Sequence, residues 1–215
     1  MFTKYGYSTM GIMFVLVFIL IVLSIFLNNN FIRIPLLVLA FLLLVFTLNF
    51  FRDPDRNIPQ KENIVVSPAD GRVLFVKDVI DDKFINSKAK MIAIFMSPLN
   101  VHVNRIPISG KIEYLKYIKG DYIAAFEDKA SERNERTEIG ITNPNGKVLF
   151  TQIAGFVARR IVCDLKLGDE VTIGNRFGMI KFGSRVDIIV PPEWHVKVKK
   201  DDNVTAGETI LFEYN

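Results

Sequence analysis

Two long apolar runs dominate the N-terminal part of the chain, over residues 10–27 and 34–51. Between Met1 and Phe51 the only charged side chains are Lys4 and Arg33. Each run is near the short end of the roughly 17–25 residues that a membrane-spanning helix needs, and neither has the polar face of a surface helix. The pattern predicts a membrane anchor over residues 1–51, formed by two transmembrane helices.

The connection between the runs is short enough for a tight helical hairpin, which returns the chain to its starting side. Lys4, Arg52, Arg56 and Lys61 lie on that side. An excess of Lys and Arg predicts that this side is cytoplasmic, although Arg33 on the far side opposes that assignment. We therefore expect the cell (inner) membrane as the location, with the rest of the chain on its cytoplasmic side.

Other structures for the N-terminal segment are a cleaved signal peptide, a pair of buried core helices and a hairpin that enters the bilayer without crossing it. A signal peptide ends in a small-residue cleavage site, whereas three asparagines, residues 28–30, follow the first run. Core helices have polar residues on one face, and these runs have almost none. The hairpin that does not cross is the main alternative left open.

Beyond Arg52 charged side chains appear in every short window, and runs rich in β-branched and aromatic residues alternate with turn signals. This pattern predicts a mostly β (α+β) domain over residues 52–215. The predicted strands are residues 64–66, 71–76, 91–96, 110–117, 137–142, 147–153, 156–163, 179–182, 186–190 and 209–214.

Turn residues mark the connections between these strands. The sequence Asn143-Pro144-Asn145-Gly146 predicts a hairpin turn, and residues 168–171 and 203–208 are turn-like segments that lead into strands. Residues 121–136 are polar and charged, which predicts a long loop, with a helical turn at residues 123–127. Long ordered loops in compact domains are often functional.

Composition narrows the range of functions. The net charge is +4, with no concentrated Lys/Arg stripe, which fits an anionic membrane better than nucleic acid. One cysteine, Cys163, and two histidines, His102 and His195, give no Cys/His cluster for a metal site, and the lone cysteine is compatible with a reducing compartment. The common nucleotide and zinc motifs are absent from the sequence.

Five stretches after the apolar runs together resemble the phosphatidylserine decarboxylase family, in its short, compact (archaeal-type) branch. They occur in the family's order and span nearly the whole chain after the anchor. The stretches are Phe51-Arg52-Asp53-Pro54-Asp55-Arg56, Ser67-Pro68-Ala69-Asp70-Gly71, Ser97-Pro98-Leu99-Asn100-Val101-His102-Val103-Asn104-Arg105, Ile153-Ala154-Gly155 with Arg159-Arg160-Ile161, and Phe182-Gly183-Ser184-Arg185-Val186.

The resemblance implies a proenzyme that cleaves itself between Gly183 and Ser184. Residues 1–183 would be the β chain and residues 184–215 the α chain, and the two would stay associated. Ser184 would become a pyruvoyl group, which forms a Schiff base with the substrate amine and accepts the electron pair released by decarboxylation. The implied reaction converts phosphatidylserine in the membrane to phosphatidylethanolamine and carbon dioxide, without a metal.

The self-cleavage chemistry needs a base for the Ser184 hydroxyl. His102 is the candidate, and Asp70 can orient it as in a catalytic triad. Longer family members carry a second histidine three residues further on, where this chain has Arg105. We therefore leave open whether His102 serves self-cleavage, decarboxylation or both.

Further residues enter as weaker candidates. Arg105, Arg159 and Arg160 are candidates for substrate binding, since one arginine can meet a phospholipid head group. We expect His195 to be structural or solvent-facing and Cys163 to be packed rather than reactive.

The residues also leave open a second function, that of a non-enzymatic membrane adaptor. The segments 67–73 and 168–171 resemble turn-strand elements of biotinyl/lipoyl-type barrel sandwiches, which occur in non-enzymatic membrane adaptors. Such adaptors carry long heptad hairpins and, in lipoyl domains, an acceptor lysine turn, and neither is visible here. We expect a barrel-sandwich-like β domain in either case. Association of whole chains into a homo-oligomer is left open.

Overall fold

The computed structural model describes residues 1–121, 133–155, 160–181 and 184–215. These residues form two compact units, residues 1–55 and residues 56–215. The prediction of a mostly β body preceded by an N-terminal helical hairpin is confirmed. The predicted boundary at residues 51–52 lies close to the division between the units.

The N-terminal unit is a pair of helices, α1 (Tyr7–Ile25) and α2 (Asn30–Phe50), after a short 3-10 turn at Lys4–Gly6. Both are long and apolar enough to cross a membrane. The second helix begins at Asn30, four residues before the predicted start, because the Asn29 side chain accepts a hydrogen bond from the Phe31 N–H at 2.9 Å and caps it.

The two helices bury few side chains, and most of these recur at seven-residue intervals. Met10, Val17 and Ser24 are buried on α1, and Ala40 and Thr47 on α2, where Phe50 at the C-terminal end is also buried. This spacing is that of a packed seam between two helices. The remaining surface is largely exposed apolar side chains, and so large an apolar surface is typical of contact with lipid or protein.

The described part of the second unit contains fourteen strands. They are β1 (Ile64–Val66), β2 (Gly71–Asp81), β3 (Ser87–Met96), β4 (Val103–Arg105), β5 (Gly110–Ile118), β6 (Arg136–Asn143), β7 (Gly146–Ala154), β8 (Arg160–Cys163), β9 (Glu170–Val171), β10 (Arg176–Lys181), β11 (Ser184–Val190), β12 (His195–Val196), β13 (Asn203–Val204) and β14 (Ile210–Glu213).

These strands form one large antiparallel sheet and two small ones. The large sheet has the order β13-β2-β3-β11-β7-β6-β5-β9, and the small sheets have the orders β4-β10-β8 and β1-β14-β12. The predicted turn after β6 is confirmed, since Asn143 pairs with Gly146 and the Asn143 side chain accepts a hydrogen bond from the Asn145 N–H. Strand β11 lies between β3 and β7, inside the large sheet.

The large sheet has one core face along its central strands. On β11, Val186 and Ile188 belong to the hydrophobic core, as do Ile92, Ile94 and Met96 on β3. Because side chains alternate along a strand, Ser184 lies on this same face as Val186, whereas Arg185 and Asp187 lie on the opposite face.

Several strands are longer than predicted. Strand β2 continues to Asp81 and β3 begins at Ser87, because backbone pairing extends into charged residues that interrupt the apolar pattern. The short strands β4, β9, β12 and β13 were not predicted. The helical turn expected at residues 123–127 lies outside the described residues, as does most of the predicted loop 121–136. Residues 156–159 of one predicted strand and Phe182 of another also lie outside them.

Candidate active site around Ser184

Ser184 is the first residue of β11 and is fully buried. It pairs with Met96 on β3 and with Ala154 on β7. Its hydroxyl donates a hydrogen bond to the Met96 thioether sulfur at 3.3 Å. A thioether is a weak acceptor, so this contact orients the serine oxygen while holding its proton only weakly. Gly183, on the other side of the predicted cleavage, lies outside the described residues.

Two buried amide side chains continue this polar network. The Asn104 Nδ2 lies 3.8 Å from the Met96 sulfur and 3.4 Å from the Pro68 carbonyl oxygen. The Gln152 Nε2 donates to the Asn104 Oδ1 at 2.9 Å. A chain of contacts therefore runs from Ser184 through Met96 and Asn104 to Gln152, all inside the protein.

His102 lies directly before β4 and is fully buried. Its Nδ1 is 2.9 Å from the Asn100 carbonyl oxygen. That oxygen can only accept, so Nδ1 donates and the lone pair of a neutral ring is on Nε2. The His102 carbonyl accepts a hydrogen bond from the Ile180 N–H at 3.4 Å. This contact places His102 beside β10, the strand that precedes the predicted cleavage position.

The Asp70 carboxylate is held by Arg56 and by the backbone of Ala206. The Arg56 Nη2 donates to both Asp70 oxygens, at 2.9 and 2.7 Å, and the Ala206 N–H donates to Oδ1 at 2.8 Å. The loop that carries Asp70 also touches the His102 segment, because the Pro68 carbonyl accepts from the Arg105 N–H at 2.9 Å.

The predicted substrate-binding arginines occupy different places. Arg105 is buried and its guanidinium donates to the Gly174 carbonyl at 2.8 Å, which is a contact within the protein. Arg160 is exposed and pairs with Lys181 across β8 and β10. Burial lowers the pKa of Lys181, and the positive charge of Arg160 lowers it further. Arg159 lies outside the described residues.

The other two residues singled out in the sequence are His195 and Cys163. His195 is exposed on β12, where it pairs with Glu213. Cys163 packs against the hydrophobic core, and burial raises the pKa of its thiol. Both placements agree with the structural roles expected for them.

Sequence reasoning missed Met96 and Gln152, which have no distinguishing pattern around them. Asn104 and Arg56 were within the motif stretches but were given no role. Their position in those stretches was the one signal that pointed to them, since the contacts that define their roles join distant parts of the chain.

Comparison with known proteins gives a consistent result. A family model described as phosphatidylserine decarboxylase matches residues 43–212. A phosphatidylserine decarboxylase proenzyme from Pelodictyon phaeoclathratiforme is 47% identical over 214 residues, covering 100% of both chains. Proenzymes of the same name are 48% identical in Chlorobium phaeovibrioides, covering 98% of this chain and 95% of that one, and 51% identical in Chlorobaculum parvum, covering 79% of each. The chain therefore belongs to the phosphatidylserine decarboxylase family.

Proposed function

We propose that this chain decarboxylates phosphatidylserine to phosphatidylethanolamine and carbon dioxide, using a pyruvoyl group made by self-cleavage between Gly183 and Ser184. The observation that carries the proposal is the setting of Ser184, which is fully buried at the start of β11 with its hydroxyl on a weak acceptor. Family membership favours this enzyme over a non-enzymatic adaptor.

In the proposed self-cleavage the Ser184 oxygen attacks the Gly183 carbonyl carbon. The peptide C–N bond breaks, the amine of residue 184 takes a proton, and an ester remains. Loss of the proton on the α-carbon of residue 184 then expels the Gly183 carboxylate and leaves dehydroalanine. Water replaces the nitrogen, which departs as ammonia, and a pyruvoyl group results.

His102 is proposed as the base for these proton transfers, acting through Nε2. The donation from Nδ1 to Asn100 fixes the tautomer that keeps a lone pair on Nε2. We propose that Asp70 is a positioning residue. Its contacts with Arg56 and Ala206 hold the loop of residues 67–70 in place. Arg105 and Asn104 contact that loop. A direct role of Asp70 in orienting His102 stays a prediction.

The surroundings of residue 184 fit a small keto group. Among the described residues the hydroxyl contacts a neutral thioether, and the next polar neighbours are uncharged amides. When formed, a pyruvoyl group supplies an electron sink for the pair left by departing carbon dioxide. Residue 184 is fully buried, and limited access of bulk solvent protects such chemistry from side reactions.

The sheet explains how two chains would stay together after cleavage. Strand β11 of the proposed α chain is paired with β3 and β7 of the proposed β chain. The α-chain strands β13 and β14 pair with β2 and β1. Cutting one peptide bond leaves all these hydrogen bonds intact.

The two apolar helices are proposed as the membrane anchor, with residues 56–215 on the cytoplasmic side. Their exposed surface is mainly apolar, and Lys4 and Arg52 lie at the ends that flank the hairpin. Anchoring would keep the enzyme at the membrane in which its lipid substrate resides.

Mass spectrometry of the purified full-length protein tests the proposal. We expect two chains, residues 1–183 and 184–215, with a pyruvoyl group at residue 184, and release of carbon dioxide from phosphatidylserine. Ser184→Ala should remain a single inactive chain, because it has no attacking oxygen. Ser87→Ala, which removes an exposed hydroxyl from β3, should be cut normally. An intact, inactive wild-type chain would refute the proposal.

A further inference from the structure

The Gln152 side chain carries a buried acceptor without a donor. Its Oε1 is inaccessible to solvent, and no hydrogen bond reaches it from the part of the chain that the structure describes. The residue as a whole is fully buried. An unsatisfied buried acceptor is costly, so a group that donates a hydrogen bond there would be strongly favoured.

The neighbouring carbonyls fix which end of the amide is the acceptor. The Gln152 Nε2 lies 3.5 Å from the Val162 carbonyl and 2.9 Å from the Asn104 Oδ1. The Asn104 Nδ2 in turn faces the Pro68 carbonyl at 3.4 Å. Both carbonyls can only accept. Flipping either amide would therefore place two acceptors against each other, so Oε1 is the atom left over.

This acceptor belongs to the face and the network of Ser184. Ser184 pairs with Ala154, and Val186 pairs with Gln152, so Gln152 and Ser184 are diagonal neighbours on adjacent strands. Such neighbours are about 7–8 Å apart, within reach of long side chains. A chain of contacts through Asn104 and Met96 also links the side chains of Gln152 and Ser184.

We propose that the Gln152 Oε1 accepts a hydrogen bond from the primary amine of the substrate as it approaches residue 184. The inference rests on the proposed function, in which that amine must reach the carbon of residue 184. An ammonium or amine has N–H donors, and the Gln152 Oε1 is a buried oxygen of this network that accepts no hydrogen bond from the described residues. Gln152 is thus a substrate-binding residue that selects an amino-bearing head group.

Gln152→Met tests the proposal, since it keeps the length of the side chain and removes the acceptor. Purified wild-type and variant proteins are mixed with phosphatidylserine and sodium cyanoborohydride, and the mass of the 184–215 chain reports the captured amine. We expect normal self-cleavage and pyruvoyl formation, but at least a tenfold higher phosphatidylserine concentration for half-maximal capture, consistent with loss of one hydrogen bond to a charged group. KM should rise more than kcat falls.

Two further variants complete the test. Thr151→Val removes a polar group from the opposite face of β7 and should leave capture unchanged. Gln152→Glu in its protonated form keeps an acceptor at the place of Oε1 and a donor toward the Asn104 Oδ1. At a pH where that carboxyl is protonated it should capture the amine at concentrations closer to wild type than Gln152→Met does, which keeps the proposal testable if the methionine variant does not fold.

The inference is wrong if Gln152→Met captures the amine with the wild-type concentration dependence. It is also wrong if that variant is altered only in pyruvoyl formation, because the acceptor would then serve the water of self-processing. Loss of capture in a normally processed Gln152→Glu variant would equally overturn it. An uncut wild-type chain is a different result, since it refutes the proposed function itself.

Discussion

At the scale of single residues, the Arg56–Asp70 pair connects the candidate active site to distant parts of the chain. The carboxylate accepts from Arg56 and from the Ala206 N–H, and both charged side chains are mostly shielded from solvent. A charge-assisted hydrogen bond in a partly buried pair is stronger than a surface salt bridge. It therefore holds the 67–70 loop in the position from which the Pro68 carbonyl contacts Asn104 and Arg105.

We expect Asp70→Asn to slow self-cleavage by about 10–150-fold, the range that corresponds to losing one charge-assisted hydrogen bond of about 1.5–3 kcal/mol. Arg56→Met should slow it less, because the Ala206 N–H still holds the carboxylate. The appearance of the 184–215 chain over time, followed by mass spectrometry after synthesis, measures both rates. Asp78→Asn, at an exposed carboxylate on β2, serves as the control. Cleavage of Asp70→Asn at the wild-type rate would contradict the role of this pair.

These residues show why the sequence predicts part of the site. Ser184, His102 and Asp70 were found because each lies in a motif stretch with its own recognisable order. Gln152 lies in an ordinary apolar strand, and its importance comes from contacts with residues 48 and 10 positions away. No local pattern encodes a partner at that distance, so the amide network appears only in the folded chain.

At the scale of elements, strand β11 has two very different faces. Ser184 faces the core, while Arg185 and Asp187 face the other way and form a buried ion pair with contacts of 2.5 and 3.0 Å. The Arg185 guanidinium also lies 4.8 Å from the centre of the Phe75 ring. Burial raises the pKa of Asp187, and the attraction of Arg185 opposes that rise. The pair thus fixes the strand immediately after the predicted cleavage position.

Removing one charge of the Arg185–Asp187 pair should destabilise the folded protein much more than removing both. Arg185→Met or Asp187→Leu leaves a buried charge without its partner, which costs about 3–5 kcal/mol and should lower the melting temperature by about 10 °C for a chain of this size. The double variant should melt within a few degrees of wild type. Thermal unfolding of the detergent-solubilised protein measures these shifts.

An exposed ion pair between β2 and the turn before β13 provides the control. Arg72 and Asp201 are 3.5 Å apart, with more than half of each side chain exposed, so Arg72→Met should change the melting temperature little. Additive losses in the Arg185/Asp187 double variant would show that the two charges do not stabilise each other.

The start of strand β11 could not be predicted from the pattern of apolar residues. Residues 186–190 were predicted as a strand from their β-branched side chains, but Ser184 and Arg185 were not, because a small polar residue and a charge do not fit an apolar strand. Backbone pairing with β3 and β7 includes them regardless. The two-residue strands β9, β12 and β13 were missed for a related reason, since two residues are too few to show alternation.

At the scale of the whole molecule, one chain joins two units that place their apolar side chains differently. The helices of residues 1–55 have a mainly apolar exterior, whereas residues 56–215 bury a continuous hydrophobic core. The N-terminal pattern predicted the apolar helical hairpin correctly, because length and apolarity identify a helix that is able to cross a membrane. Whether the hairpin crosses the bilayer or only enters it depends on the surrounding lipid, which no residue pattern specifies.

Cysteine labelling distinguishes these arrangements, since Cys163 is the only cysteine in the chain. In a Cys163→Ser background, Asn28→Cys places a thiol in the exposed connection between α1 and α2, and Gln60→Cys places one just after the hairpin. We expect a membrane-impermeant maleimide to label Asn28→Cys in intact cells and Gln60→Cys only in inverted membrane vesicles, because the flanking Lys and Arg favour the cytoplasmic side. The Cys163→Ser protein alone should not be labelled. Labelling of both positions only in inverted vesicles would mean that the hairpin enters the bilayer without crossing it, and the reverse pattern would place residues 56–215 outside the cytoplasm.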